Sequence, residues 1–411
     1  MPLTLAERET LRDLAKQVAE IAAHPQNAAN RAEWKRHNGL RRGKAMVLCF
    51  PEGAWQELLP DDVLTATDPD FRRFEWHLRH IIYRWQHLRD DNVIEPVWKV
   101  GLAYRTAGWG LEPAQKPSPE RRGAWTFDPV IREPADADKL RQPDLVVDEE
   151  QTRHNLEIAS DLLGDILAVR LHRRIDVDCS LIGHLVRLRG LNEIMLDMCD
   201  RPQWLHRVMT FLTEAAERLL DQVEQMPNLS LNNGDDYVGS GGVGYTDDLP
   251  APGFNGRVRL RDLWGGAEAQ ELALVSPMMH EEFVLRYQGR LLERFGLNCY
   301  GCCEDVTHKM DVIKRHIPRL RRLSVSPWTD LRVAAEALQD RVVFSWKPNP
   351  APVTLDFDED RIRREINQCL DIADGCIVEM ILKDTHTVQG RPDRLHNWVR
   401  IANEVTAARA P

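Results

Sequence analysis

The chain has 411 residues, of which 43% are hydrophobic and 29% are charged, and its formal net charge at pH 7 is −10. This composition is typical of a soluble globular enzyme, and the length allows one large barrel or two to three smaller domains. The negative charge argues against nucleic acid or an anionic membrane as a partner, and no apolar run is long enough to span a bilayer.

The cysteines and the N-terminal segment indicate the cellular compartment. The eight cysteines are clustered or isolated, unlike the framework of a disulfide-rich secreted domain. The first 24 residues are amphipathic and lack the apolar core and cleavage site of a signal peptide. We therefore expect a cytoplasmic protein with reduced thiols.

The N-terminal quarter begins with helices and continues into a strand. Apolar periodicity predicts helices over residues 5–23 and 27–38, which form an N-terminal extension, residues 1–44. Residues 45–50 predict the first buried strand. Glu52 follows this strand and is the first candidate catalytic residue, with a solvated turn as the alternative interpretation.

A long helix over residues 70–89 is rich in aromatic residues and histidines. His77 and His80 lie three residues apart, so one helical face presents both. That face also carries Arg84 and Trp85, which favours packing against another subunit over metal binding. A homodimer is therefore expected.

Residues 104–148 interrupt the alternation of strands and helices after a strand at 97–102. The segment is rich in Pro, Ala, Gly and charged residues, with a short strand predicted at 124–127. A loop this long inside a compact domain is usually functional. We interpret it as an insertion that covers the mouth of the fold or reaches a partner.

The rest of the chain alternates between strand and helix patterns. The predicted strands are 175–179, 229–232, 297–300, 320–326, 342–346 and 375–382. This alternation is typical of βα units around a parallel sheet, and no dinucleotide fingerprint marks a doubly wound sheet. The sequence therefore predicts a (β/α)8 TIM barrel over residues 45–411.

A glycine-rich segment, residues 233–245, follows the strand at 229–232. It has neither a Walker lysine nor a GxGxxG motif that enters a helix, so it is not a nucleotide loop. We interpret it as a mobile lid that carries Asp235 and Asp236.

Polar side chains follow the predicted strands, where a barrel would bring them to one mouth. They are Glu52, Asp178, Asp236, Cys302, Cys303, Ser326, Trp328, Lys347, Asp384 and His386. Thiols, carboxylates, an imidazole and a lysine together exceed what a packed core needs. Their convergence predicts an enzyme that acts on a small-molecule substrate.

Three cysteines lie within residues 299–304, between a predicted strand and the next helix. Cys302 and Cys303, beside Gly301 and Glu304, indicate a thiolate or soft-metal site. The alternative is that these cysteines are small buried hydrophobic residues, and Cys299 fits that alternative.

Several segments resemble the uroporphyrinogen decarboxylase superfamily. They are residues 189–198 and 201–206, the strand and cysteines at 297–304, and the strand at 324–326. The resemblance is good over the last half of the chain and looser before it. It implies a (β/α)8 barrel, and one branch comprises zinc-dependent methyltransferases linked to a corrinoid.

That branch binds zinc through His-x-Cys and a later Cys. Cys302 matches the first cysteine, Tyr300 replaces the histidine, and His386 lies near the position of the later cysteine. Cys303 and Glu304 are additional candidate ligands. The resemblance thus implies zinc, a methylcorrinoid donor on a corrinoid-binding partner protein, and a thiol or similar acceptor. His386 is expected within reach of one metal shared with a cysteine sulfur, with Asp384 close by.

Two other functions remain open from the sequence. Decarboxylase members hold substrate carboxylates with arginines after the first strand, and residues 50–55 contain none, which argues against a porphyrinogen substrate. A metal-independent decarboxylase or lyase would use Asp236 or Asp178 as the proton donor and Lys347 as the carboxylate partner. A non-catalytic barrel with structural or redox-sensing cysteines is the third interpretation.

Overall fold

A computed structural model describes residues 3–119 and 126–410. Its architecture is α/β, with a central parallel sheet covered by helices. The strands are β1 Met46–Cys49, β2 Val97–Gly101, β3 Ala103–Ala107, β4 Ala114–Lys116, β5 Thr126–Asp128, β6 Asp144–Asp148, β7 Ala168–His172, β8 Tyr237–Val238, β9 Gly242–Val243, β10 Trp264–Ala267, β11 Leu297–Tyr300, β12 Leu320–Val325, β13 Val343–Trp346 and β14 Ile377–Leu382. The α-helices are α1 Leu5–Ala22, α2 Pro25–Asn38, α3 Trp55–Leu58, α4 Pro69–Tyr83, α5 Glu149–Leu163, α6 Leu181–Arg189, α7 Leu191–Asp200, α8 Pro202–Gln225, α9 Pro277–His280, α10 Arg286–Leu292, α11 Met310–His316, α12 Leu331–Leu338, α13 Ala351–Thr354, α14 Glu359–Ile372 and α15 Asp393–Ala408.

The central sheet has six strands in the order β1-β14-β13-β12-β11-β10, and every neighbouring pair is parallel. Strands β1, β11, β13 and β14 are buried along their whole length. Such continuous apolar strands are typical of a parallel sheet that helices cover. All six carboxyl ends lie at one edge, which brings the segments after them together.

At the two edges of this sheet, side chains form hydrogen bonds with backbone groups of the edge strands. The backbone N–H groups of Val47 and Cys49 in β1 donate to the carboxylates of Asp91 and Asp90, at 2.8 and 3.0 Å. At β10, the Asn232 side chain both accepts from and donates to the backbone of Trp264. The described strands thus form an open six-stranded sheet, and closure into a TIM barrel stays a prediction.

Two predicted strands are wrong, and one strand of the central sheet is missing from the prediction. The structure has β7 at Ala168–His172, paired with β2, where the sequence predicted a strand at 175–179. Residues 229–232 form no ladder, although Ser230 donates from its backbone to Arg173. Strand β10, Trp264–Ala267, is absent from the predicted strands. Whether such a segment forms a strand depends on pairing with a neighbouring strand. The local alternation of apolar and polar residues does not reveal that pairing.

The insertion forms an antiparallel arm. Strand β3 pairs with β6, and β4 pairs with β5. The strand predicted at 124–127 is described from Thr126 onward, and residues 124 and 125 lie outside the described residues. The proposed division at residue 45 and the function of the arm stay predictions.

The N-terminal helices meet the sheet in two different ways. Helices α1, α4 and α5 pack on β2 in an apolar cluster of their own. Helix α2 instead brings Trp34, His37 and Asn38 against β1, β14 and residues 243–245. Among the described residues, no helix combines the length and apolar character needed to cross a bilayer.

Candidate functional site

Two cysteines lie directly after β11, at the edge where the parallel strands end. Gly301 has φ of +85°, a conformation that glycine adopts without strain, and it turns the chain so that Cys302 and Cys303 leave the sheet. Both thiols are half-buried. The structure therefore brings the two cysteines to the edge predicted for them.

Lys383 and Asp384, which follow β14, complete a continuous set of contacts with these thiols. The Cys302 and Cys303 sulfurs lie 3.5 Å apart, and Cys303 Sγ lies 3.4 Å from Asp384 Oδ2. Lys383 Nζ lies 3.6 Å from Cys302 Sγ, and the Ser240 hydroxyl donates to the same sulfur at 3.4 Å. We call Cys302, Cys303, Lys383 and Asp384 the thiol corner.

The contacts of the thiol corner favour negative charge on Cys302. The pKa of Cys302 is lowered to about 6, although burial by itself would raise it. The lowering comes from the Cys303 thiol, the Ser240 hydroxyl and the Lys383 ammonium. The negative charge on Cys302 in turn raises the pKa of Cys303. One proton is thus shared by the two sulfurs, and Asp384 offers it a second acceptor.

Glu304 positions the thiol corner through the backbone. Its side chain is 1% exposed. Its two carboxylate oxygens accept from the backbone N–H of Cys302 at 2.7 Å and of Ala269 at 3.1 Å. Glu304 thus ties the segment after β10 to the segment after β11, and the metal role predicted for it stays a prediction.

Glu52 and Asp384 meet where the adjacent strands β1 and β14 end. Both have left-handed backbone conformations, with φ of +47° and +59°, which non-glycine residues rarely adopt outside functional or tightly held positions. Glu52 Oε2 accepts from the Asp384 backbone N–H at 3.0 Å. Burial and the nearby Asp384 charge raise the pKa of Glu52.

His386 lies at the same edge of the sheet but outside the thiol corner. Its side chain is exposed, and a Cβ built on Gly53 would lie 3.3 Å from the His386 ring. Among the described residues, neither cysteine sulfur forms a hydrogen bond with this ring. The metal role predicted for His386 stays a prediction.

Residues 242–245 of the glycine-rich segment are buried against the sheet, and the mobile-lid interpretation stays a prediction. A Cβ on Gly239, Gly241 or Gly242 would meet Cys299, Phe50 or Arg322 at 3.2 Å or less. The glycines are needed because the backbone itself contacts these side chains. This close approach presents the Ser240 hydroxyl to Cys302 and Lys383.

Lys347 lies beneath the thiol corner in a group of buried charges. Its Nζ donates to the Ser345 hydroxyl at 2.5 Å, and Ser345 donates to Glu379. Glu379 also pairs with Arg322, at 2.8 Å, and with His37, at 3.1 Å. These five side chains, which are at most 2% exposed, are the buried charge cluster. Lys347 thus donates to Ser345, and the role of carboxylate partner predicted for it stays a prediction.

Asp236 is likewise committed elsewhere. Its carboxylate pairs with Lys99 Nζ at 3.3 Å and with His172 at 3.0 Å, on β2 and β7. The hydrogen bond with His172 and the charge of Lys99 outweigh burial and lower the pKa of Asp236. This arrangement gives Asp236 a structural part in joining these strands, and the catalytic role predicted for it stays untested.

A cavity of about 530 Å³ opens beside the thiol corner. Cys302 and Lys383 line one side, and Asp178 and Glu268 line another. Burial is the main cause that raises the pKa of Glu268 to about 8, so its carboxyl group is largely protonated at neutral pH. The volume lies in the range of small-molecule sites.

Sequence reasoning missed Ser240, Lys383 and Glu268 as site residues. Lys383 directly follows a predicted strand, so the signal used for Asp384 applied equally to it. Glu268 was missed because β10 was not recognised. Nothing in the local pattern of the glycine-rich segment distinguishes Ser240.

The described residues contain no group of three or more His, Cys, Asp or Glu side chains gathered as a metal site. No family model matches the chain, and no curated protein matches it. Among solved structures, a methyltransferase from Methanosarcina mazei aligns over 64% of this chain and 72% of that chain, with 12% sequence identity and a TM-score of 0.39. A similarity this weak establishes neither a common fold nor a common activity.

Proposed function

We propose that the protein is a methyltransferase of the uroporphyrinogen decarboxylase type, with a (β/α)8 barrel and zinc at the thiol corner. The observation that carries the proposal is the row of soft and hard donors after β11 and β14. The donor atoms of Cys302, Cys303 and Asp384 are separated by 3.5 and 3.4 Å along the row. Neighbouring ligands of one tetrahedral zinc lie roughly 3.5–3.8 Å apart, given its bond lengths.

Cys302, Cys303 and Asp384 would hold the metal, with Asp384 taking the role predicted for His386. Small side-chain rotations would turn the row into a cluster around one ion. Two thiolates and a carboxylate would give zinc a net charge of −1, and Lys383 beside Cys302 would compensate it. Bound zinc would supply Lewis acidity that favours the thiolate form of an acceptor thiol.

The residues around the thiol corner would bind and orient the methyl acceptor. The cavity beside Cys302 and Lys383 is large enough for a small thiol or similar acceptor. A methylated corrinoid on a partner protein would donate the methyl group. When bound, that corrinoid would supply an electrophilic methyl group and act as the leaving group, and the acceptor sulfur, held as a thiolate, would supply the electron pair for the new bond.

Metal analysis of point variants tests the ligand set. Wild-type protein exposed to zinc and then freed of excess metal should retain about one ion per chain. Cys302→Ser and Cys303→Ser should lose it, and Asp384→Asn should weaken its retention. Cys199→Ser, at an exposed cysteine, and His386→Ala are the matched controls and should retain it. A zinc-free wild-type protein would contradict the proposal, as would loss of zinc in the His386 variant alone.

A metal-independent decarboxylase or lyase is the second candidate, since Lys383 and Glu268 line the same cavity. Lys383 would hold a substrate carboxylate, and the protonated Glu268 would supply the proton. These residues replace Lys347 and Asp236, which were predicted for the same tasks. Turnover of a carboxylate substrate that survives a chelator and needs no corrinoid would favour this candidate.

A further inference from the structure

A second cavity of about 530 Å³ lies between the start of α2 and the segment after α4. Its lining includes His24, Arg84, Trp85, Arg89 and Asn92. None of these residues belongs to the thiol corner. The charges and the hydrogen-bonding groups of these lining residues, which form the wall of the cavity, indicate which class of ligand it can bind.

Arg84 is a buried cation in this wall. Its side chain is 3% exposed, and its terminal nitrogens donate to Asp90 Oδ2 at 2.5 Å and to the Tyr237 hydroxyl at 2.7 Å. Its Nε atom is buried without a hydrogen-bond partner among the described residues. Such an unsatisfied charged donor is costly in a folded protein, and a bound acceptor would relieve that cost.

The acceptors beside Arg84 are already occupied, and the Gln26 and Gln86 side chains line the rest of the cavity. The Asp90 carboxylate accepts from Arg84 and from the backbone N–H groups of Cys49 and Asn92. The Asn92 side-chain oxygen accepts from Tyr237 at 3.3 Å. A ligand in the cavity therefore meets few groups that are free to accept a hydrogen bond.

The donors, by contrast, remain available. Arg89 is exposed and uses only Nε, which donates to the Gln86 carbonyl at 3.1 Å, so its two terminal nitrogens are free among the described contacts. His24 accepts from Gln26 at Nδ1, which places its own proton on Nε2. The Trp85 ring lies edge-on to His24 at 5.0 Å and adds a flat wall.

We propose that this cavity binds a small organic molecule that carries an oxyanion, a phosphate or a carboxylate. The oxyanion would accept from the buried Nε of Arg84 and from the free terminal nitrogens of Arg89, with the organic part beside Trp85. Arginine suits this chemistry because its planar group donates two parallel hydrogen bonds to such an anion. The inference does not depend on the function proposed for the thiol corner.

Indole N–H resonances of tryptophan-labelled protein test the proposal, with Trp85→Phe to assign the Trp85 signal. Inorganic pyrophosphate, benzoate or both should shift this signal in a saturable manner, and uncharged benzamide should not. A response to one anion alone identifies phosphate or carboxylate as the ligand class.

Arg89→Gln should weaken this response by about tenfold or more, because a charge-assisted contact is lost. Arg391→Gln removes another exposed arginine and should leave the response unchanged. The other indole signals report whether each variant keeps its fold. The proposal is overturned if neither anion shifts the Trp85 signal, if benzamide acts equally well, or if Arg89→Gln binds as wild type does.

Discussion

The thiol corner and the buried charge cluster occupy neighbouring strands but differ in what their charges do. In the buried charge cluster, Glu379 contacts Arg322, His37 and Ser345, and none of the cluster lines the described cavity beside the thiol corner. In the thiol corner, Cys302 and Lys383 contact each other and also line a cavity. A charged side chain near the end of a strand is available to a ligand only where its protein partners leave hydrogen-bonding capacity unused.

Removing the centre of the buried charge cluster should have the largest effect on stability. Glu379→Ala leaves Arg322 without its counter-ion in a water-free site and should lower the free energy of unfolding by roughly 3–5 kcal/mol. Urea unfolding measures this change. Glu404→Ala, which removes a surface carboxylate paired with Arg363, is the matched control and should change little. If the two variants lowered the unfolding free energy equally, the buried ion pairs would contribute no more to stability than the exposed ones.

Acid should weaken the same cluster. Arg322 outweighs burial and lowers the pKa of Glu379 below 4.5, its ordinary value. The stability that Glu379 contributes is therefore fully present above about pH 4.5 and is lost as the pH falls through the folded-state pKa. Burial lowers the pKa of His37 below 6.5, so acid weakens the cluster through this group too.

Urea unfolding at several pH values tests this dependence. The difference in unfolding free energy between wild type and Glu379→Gln should narrow as the pH falls below about 4.5. A difference that stays constant over that range would show that the charge on Glu379 is not what stabilises the fold.

Glu304 is a buried carboxylate that contacts the thiol corner, and its substitution should have an intermediate effect. In Glu304→Gln the amide group replaces one of the two acceptors for the backbone N–H groups of Cys302 and Ala269. The expected loss is about 1–3 kcal/mol of unfolding free energy, since a charge-assisted bond is lost in a buried site. Zinc retention should fall with it, because Cys302 loses its backbone restraint. Unchanged stability would contradict the positioning role.

Substitution within the thiol corner should have the smallest effect on stability. Cys303→Ala removes a half-buried thiol with no counter-ion to orphan, and unfolding free energy should fall by no more than about 1 kcal/mol. Zinc should nevertheless be lost. Thermal unfolding and metal analysis of the same samples measure stability and zinc retention separately. A loss of unfolding free energy as large as that of Glu379→Ala would contradict the difference proposed between the two regions.

The sequence predicted much of the parallel sheet and part of the site. Strands β1, β2 and β11 to β14 are close to the predicted ranges, because continuous apolar runs between turn residues mark buried parallel strands. The meeting of Cys302, Cys303 and Asp384 was also predicted, since residues after parallel strands share one edge.

Only the tertiary structure decided which of these polar residues remain available. Lys347 and Asp236 follow the same local pattern as Lys383 and Asp384, yet they pair with Ser345 and with Lys99 and His172. Those partners come from distant parts of the chain, so local periodicity carries no information about them. The sequence determines where a charged side chain leaves its strand, and long-range packing determines whether another protein group has already neutralised it.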